Sequence, residues 1–148
     1  MNDADESEPF FLDTNILAYR FDHAALKKQE IADRLITDAL ESQQGVISTQ
    51  VVQEFVSLAL RKFARPMSTA ECSEYLQTVL SPLCRYYPSI SSYERALQIV
   101  DETGYHFYDA LILAAAIESG CRTLYSEDLQ HGRKIQGLTI LNPFLDVI

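Results

Sequence analysis

Four carboxylates, Asp13, Glu54, Asp109 and Asp128, stand far apart in the chain, yet each lies where an apolar segment begins, ends or meets its polar rim. Gathered into one crevice they would repel, so some would stay protonated or a cation would balance them. A set of oxygen ligands with no His or Cys suits a hard divalent ion, Mg2+ or Mn2+. Each acid also has an ordinary role when taken alone. Asp13 and Asp128 are turn or cap residues, Asp109 is a helix N-cap, and Glu54 is a solvated helix residue. The elements around them must decide.

In "PFFLDTNILAY" the apolar residues 10–12 are too few for a helix and read as a strand that delivers Asp13 to its end. Residues 24–43 carry Leu26, Ile31, Leu35, Ala39 and Leu40 at helical spacing, and Gly45 reads as the stop of that helix. Residues 46–48 read as a second strand. Ser48 or Thr49 then caps a helix that runs to about Arg61, with Pro66 at its exit. On that helix Val51, Val52, Phe55, Val56 and Ala59 form the core stripe. Glu54 lies about 60° from Val51 and about 40° from Leu58, on the stripe's rim.

Ser68 with Glu71 and Ser91 with Glu94 read as capping boxes opening two more helices, with a possible strand in "LCRYY" between them. Gly104 closes the second. "YDALILAAAIESG" is apolar on nearly every side, which puts a helix at the centre of the packing with Asp109 in its first turn and Gly120 as its stop. "RTLYS" and "LTIL" read as strands, and the segment 127–137 between them as a loop with room for a helical turn. Strands alternating with helices at this density imply a three-layer α/β/α sandwich on a short, mainly parallel sheet. Ligands collect beyond the carboxyl ends of strands in such sheets, where Asp13 and Asp128 fall.

The chain has 148 residues, 47% of them hydrophobic, which suits one domain with a sizeable core. The acidic residues 1–8 read as a tail and 9–148 as a single domain. No apolar run reaches the ~18 residues of a membrane span and no basic leader opens the chain, so a cytoplasmic protein is expected. Cys72, Cys84 and Cys121 are odd in number and widely spaced, which points to free thiols rather than a disulfide framework or zinc site. His23 and His106 have no metal-ligand spacing, and His131 reads as a loop residue.

The net charge of -9 argues against a polyanionic partner only superficially. Setting aside Asp3, Asp5, Glu6 and Glu8 and the four candidate site acids leaves 13 acids against 12 bases, a nearly neutral body. Arg61, Lys62 and Arg65 form its densest basic run. Arg61 falls two turns beyond Glu54 on the same helix face, and Arg61, Arg65 and Arg133 are candidate contacts for a phosphate backbone. Their ordinary reading is complementing a helix C-terminus or solvating a loop.

"FLDTN" after the first strand, "QEF" in a helix, "YDALILAAA" opening an apolar helix and "LYSEDLQHG" after a late strand together resemble the PIN domain, in its VapC-type toxin branch. The resemblance covers roughly residues 9–147 in the family's order. It implies metal-binding and catalytic roles for Asp13, Glu54, Asp109 and Asp128, with Thr14, Asn15 and Ser126 hydrogen-bonded around them. Tyr108 departs from the Trp that relatives often carry there, which is read as a matter of packing, and Glu127 competes with Asp128 for the fourth place.

The implied activity is Mg2+- or Mn2+-dependent cleavage of RNA (tRNA, rRNA or mRNA) to a 3′-hydroxyl and a 5′-phosphate. A divalent ion would activate water and offset charge on the phosphodiester, and a second one about 4 Å away would steady the leaving oxygen. Implied partners are a cognate antitoxin and a second copy of the chain. The apolar residues Cys72, Tyr75, Leu76, Val79 and Leu80 of the 68–80 helix are a candidate surface for the latter.

Other readings are a catalytically inactive relative that only binds RNA or protein, and a processing nuclease outside any toxin pair. An aspartyl-phosphate phosphatase or receiver domain also places Asp at a strand end. The first of these wants a second Asp where this chain has Asn15, and both want a Lys where it has Ser126.

Overall fold

The computed structural model describes residues 8–146. The elements follow in the order β1 (Phe10–Leu12), α1 (Thr14–Tyr19), α2 (Leu26–Ser42), β2 (Gly45–Ser48), α3 (Thr49–Arg61) and α4 (Thr69–Tyr75). α4 continues through a π-helical turn at Leu76–Leu80 and a last α turn at Ser81–Leu83. β3 (Cys84–Tyr86), α5 (Ile90–Thr103), α6 (Phe107–Glu118), β4 (Thr123–Tyr125), β5 (Lys134–Ile135) and β6 (Leu138–Leu141) complete the chain.

The sheet order is β3-β2-β1-β4-β6-β5, with every pairing parallel except β5 to β6. From β1 the chain builds outward to β2 and β3, then returns to lay β4 on the other side of β1. The order therefore reverses at β1 and β4, and a crevice must open beyond their carboxyl ends. β2 is buried along its whole length, as a parallel strand covered on both faces must be. α6 crosses β2, β4 and β6 and packs along α5, while α1 sits between α2 and α3. Residues Ala110 and Ile112 to Ala116 of α6 are buried, so an almost uniformly apolar helix is the centre of the fold.

Several local readings change. Gly45 opens β2 instead of stopping α2, whose C-cap is Gln43 in the left-handed conformation (φ 61°). Glycine is required at 45 by close approach, because a Cβ there would stand 2.2 Å from the Ala39 Cβ and 2.9 Å from its Cα. Both atoms belong to a packed helix and cannot yield cheaply. Gly45→Ala is expected to cost about 1–3 kcal/mol and lower the melting temperature by roughly 3–12 °C. An unchanged melting curve would contradict this account of the β2–α2 contact.

The capping box opening α5 is Ser89 with Ser92, not Ser91 with Glu94. Ser92 is buried and bonded to Glu118 at 2.8 Å, which ties the start of α5 to the end of α6. Residues 127–137 contain no helical turn; they run as loop into the two-residue strand β5. Ser68 and Glu71 do form their box, and Gly104 ends α5 at φ 78°. All three cysteines are free, with Cys72 and Cys121 buried.

Residues 1–7, most of the acidic segment, lie outside the described residues; Glu8 faces Arg122 at 3.5 Å. Among the described residues no helix is long and apolar enough to cross a membrane.

Candidate active site

The crevice beyond β1 and β4 holds about 1000 Å³ and is lined by all four predicted acids, Asp13, Glu54, Asp109 and Asp128. β1 ends directly in Asp13, which is also the N-cap of α1, its carboxylate accepting from the Thr14 amide at 2.7 Å. The capping role and the site role therefore coincide in one residue. Glu54 faces the crevice from the second turn of α3, and Asp109 from the first turn of α6, three residues past the N-cap His106. Asp128 follows β4.

The three polar residues expected around the acids are present, each bound to a different one. Ser126 Oγ donates to Asp13 at 2.7 Å, Thr14 Oγ1 to Glu54 at 2.6 Å, and Asn15 Nδ2 to Asp128 at 3.0 Å. Thr14 and Asn15 are helical residues. They open α1, and their side chains reach across to α3 and to the segment after β4. Ser126 and Thr14 are buried, which makes their bonds stiff supports for the acids they serve.

Glu127 lines the same crevice but is engaged by other groups. Its carboxylate accepts from Tyr19 Oη at 2.6 Å and from Lys28 Nζ at 2.5 Å, and its amide donates to Asn15 Oδ1 at 3.3 Å. Lys28 is itself seated over the rings of Tyr19 and Phe144. Among the described residues none of the four acids has an ion-pair partner, whereas Glu127 does.

Gln50 was not singled out by the sequence. Its Nε2 donates both to Glu54 Oε2 at 3.1 Å and to the Tyr108 carbonyl at 3.0 Å, joining α3 to the turn that carries Asp109. Tyr108 itself is 68% exposed, with its ring edge-on to Phe107.

The basic candidates divide differently from expectation. Lys62, where α3 ends, lines the crevice. Arg65 lines an adjoining hollow, Arg133 lies over the Tyr105 ring, and Arg61 and Arg133 are not on the crevice wall. His131 accepts the Asn142 amide at 2.9 Å, a loop role. Cys72, Val79 and Leu80 of the α4 segment are buried in the core and Tyr75 stacks on Phe55, so most of that helix's apolar face is already spent.

Burial holds the Asp13 carboxyl up at about 6, with the Ser126 and Thr14 bonds opposing and the charges of Glu54 and Asp128 adding. Asp109 is also raised, first by burial and then by Asp128 and Glu54, with His106 pulling the other way. These mutual effects are those of acids sharing one space.

Among the described residues no three His, Cys, Asp or Glu side chains stand in a ready-made cage for an ion. Glu54 is turned to Thr14 and Gln50, and Asp13 to Ser126, so the carboxylates ring the crevice without closing on a point. The donor set still fits a hard cation: four carboxylates, two of them raised by burial and then by one another, with no positive charge among the described residues paired to any of them.

The chain belongs to the PIN domain family, whose model matches residues 10–134 and so takes in all four acids. Several solved structures share the fold. One is a toxin–antitoxin complex from Klebsiella pneumoniae, 23% identical, with a TM-score of 0.64 over 90% of this chain and 96% of that one. Another is Mycobacterium tuberculosis VapC20, a toxin that cleaves the sarcin-ricin loop, 24% identical, with a TM-score of 0.60 over 80% and 89%. The third is VapBC2 from Rickettsia felis bound to a promoter DNA fragment, 18% identical, with a TM-score of 0.56 over 88% and 96%. No curated protein matches this chain.

Proposed function

We propose that this protein is a divalent-metal-dependent endoribonuclease and the toxin of a toxin–antitoxin pair, acting in the cytoplasm. The observation that carries the reading is the crevice at the β1/β4 switch point, which is lined by four carboxylates, three of them supported by separate hydrogen bonds and none ion-paired among the described residues. Unpaired, crowded carboxylates cost stability, and a site that keeps them without salt bridges is suited to a metal. The structural neighbours, a toxin and two toxin–antitoxin complexes, support a toxin role and an antitoxin partner.

Asp13, Glu54, Asp109 and Asp128 would hold Mg2+ or Mn2+, and the bound ion supplies an activated water and offsets charge on the phosphodiester. The chain's own residues do the positioning. Ser126 and the Thr14 amide fix both oxygens of Asp13, Thr14 and Gln50 hold Glu54, and Asn15 holds Asp128. Lys28 and Tyr19 engage the Glu127 carboxylate, which supports Asp128 as the fourth site acid. Cleavage is proposed to leave a 3′-hydroxyl and a 5′-phosphate.

Gln50 should matter in proportion to its two bonds. Gln50→Ala is expected to raise the midpoint for Mn2+ binding about 10- to 100-fold while leaving the melting temperature within a few degrees. An unchanged Mn2+ midpoint, measured by calorimetry, would remove Gln50 from the site.

The function is tested by incubating the protein with total RNA and with tRNA and rRNA stem-loops in Mg2+, Mn2+ or EDTA, beside Asp109→Asn. Discrete cuts that vanish in EDTA and in the variant are expected. Absence of cleavage under every condition, with no ion binding by titration, would reduce the protein to a binding module.

A further inference from the structure

The crevice does not end at the acids. Phe21, Asp22, Phe63 and Ala64 line both it and a second hollow of about 410 Å³, whose walls include His23, Arg65 and Met67. The two spaces therefore adjoin along the residues that follow α1 and α3, and cations appear only away from the four acids. At one end stand Asp13, Glu54, Asp109 and Asp128; toward the other come Lys62 on the crevice wall, then Arg65 and His23 in the second hollow together with Asp22 and Glu71.

Between Lys62 and Arg65 the wall is aromatic. Phe63 and Phe21 are only partly buried, with ring centroids 5.4 Å apart in a stacked arrangement. Cations spaced along a groove with aromatic faces between them are what an unpaired nucleic-acid strand needs, phosphates on the cations and a base against a ring. A duplex hides its base faces by stacking and could use only the cations.

We infer that the two hollows form one groove in which an unpaired RNA segment flanking the cut is held, with its phosphates on Lys62 and Arg65 and a base against Phe63. The inference rests on the ribonuclease reading and adds a direction to it: the bound strand leaves the acids toward the C-terminal end of α3. Lys62 and Arg65 compensate locally for a crevice whose acids would otherwise repel the strand. Asp22 and Glu71 also line the second hollow, so the positive field is confined to the two side chains and is not a broad patch.

The test uses a fluorescein-labelled 12-nucleotide RNA of mixed sequence with Mg2+, in the Asp109→Asn background so that the probe survives. Binding is measured between low and moderate salt for that background and after adding Lys62→Ala, Arg65→Ala, both together, or Arg133→Ala as a cation outside the groove. Each of the first two should weaken binding and lower the slope of log K against log salt by about 0.7, and the pair by about 1.4. Arg133→Ala should leave the slope of its background unchanged.

Slopes that do not move for Lys62→Ala and Arg65→Ala overturn the inference, even where the otherwise unmodified protein cuts RNA; the hollow would then be open to a polypeptide instead. Equal losses for all three cations overturn it as well, since they would mean diffuse attraction. A protein that neither binds nor cuts RNA overturns the function and the groove together.

Discussion

Asp13→Asn is expected to lower metal-dependent RNA cleavage by about a thousandfold or more, without unfolding the protein. Asn keeps the size of the side chain and one acceptor for the Thr14 amide, so the start of α1 retains its cap. What disappears is a carboxylate at the end of β1 that shares its crevice with Glu54 and Asp128. Removing that charge relieves repulsion, so the melting temperature near neutral pH should stay level or rise by a few degrees. Cleavage rate and melting curve, measured on the same preparation, check both halves. A large fall in melting temperature would mean Asp13 is chiefly structural, and retained cleavage would exclude it as a ligand.

The second large effect is the response of stability to pH and metal. The Asp13 carboxyl is raised from 3.8 to about 6, so the folded protein holds this proton more tightly than the unfolded chain does. The sign follows from linkage: its favourable contribution is complete below about 3.8 and is lost as the pH rises through about 6. At pH 7 without metal the ionised group weighs against folding, by roughly 3 kcal/mol at most. Asp109 acts in the same direction.

The metal-free protein should therefore lose stability between about pH 4 and pH 7 relative to Asp13→Asn, whose profile lacks this component. Adding Mn2+ at pH 7 should reverse the loss. At a hundredfold excess over its dissociation constant the gain is about 2.7 kcal/mol, or roughly 5–11 °C in melting temperature. Thermal melts across pH, with and without Mn2+, decide it. Parallel profiles for the two proteins, or no response to Mn2+, would contradict the site.

Much of this was legible locally. A three-residue apolar run ending in Asp, an all-apolar helix opening with Asp, and an Asp just past a late strand each carry their position in a few neighbouring residues. The strand-helix alternation then puts Asp13 and Asp128 at one sheet edge, where the crevice opens. Pairings across long sequence separations were not legible. Thr14 to Glu54, Gln50 to the Tyr108 carbonyl and Lys28 to Glu127 join segments that only the folded sheet brings together.

Helical periodicity also failed where the helix stopped. Counting turns from Glu54 favours Arg61, but α3 ends there, and its C-cap Lys62, whose amide still bonds to the Leu58 carbonyl, is the cation on the crevice wall. Gly45 was misread because its requirement is a close approach of Ala39, which composition does not reveal. The capping box of α5 shifted by two residues because Ser89, Ser91 and Ser92 offer competing hydroxyls, and the tie from buried Ser92 to Glu118 selects the pair.

The most direct test of the central claim is a crystal of the protein grown with Mn2+ and examined by anomalous scattering. The account predicts a Mn2+ peak in the crevice, within about 2.0–2.6 Å of oxygens from at least two of Asp13, Glu54, Asp109 and Asp128, with Glu54 turned from Thr14 or Gln50 to meet it. A saturating Mn2+ concentration with no peak among these residues, or with the only peak elsewhere on the molecule, would contradict it.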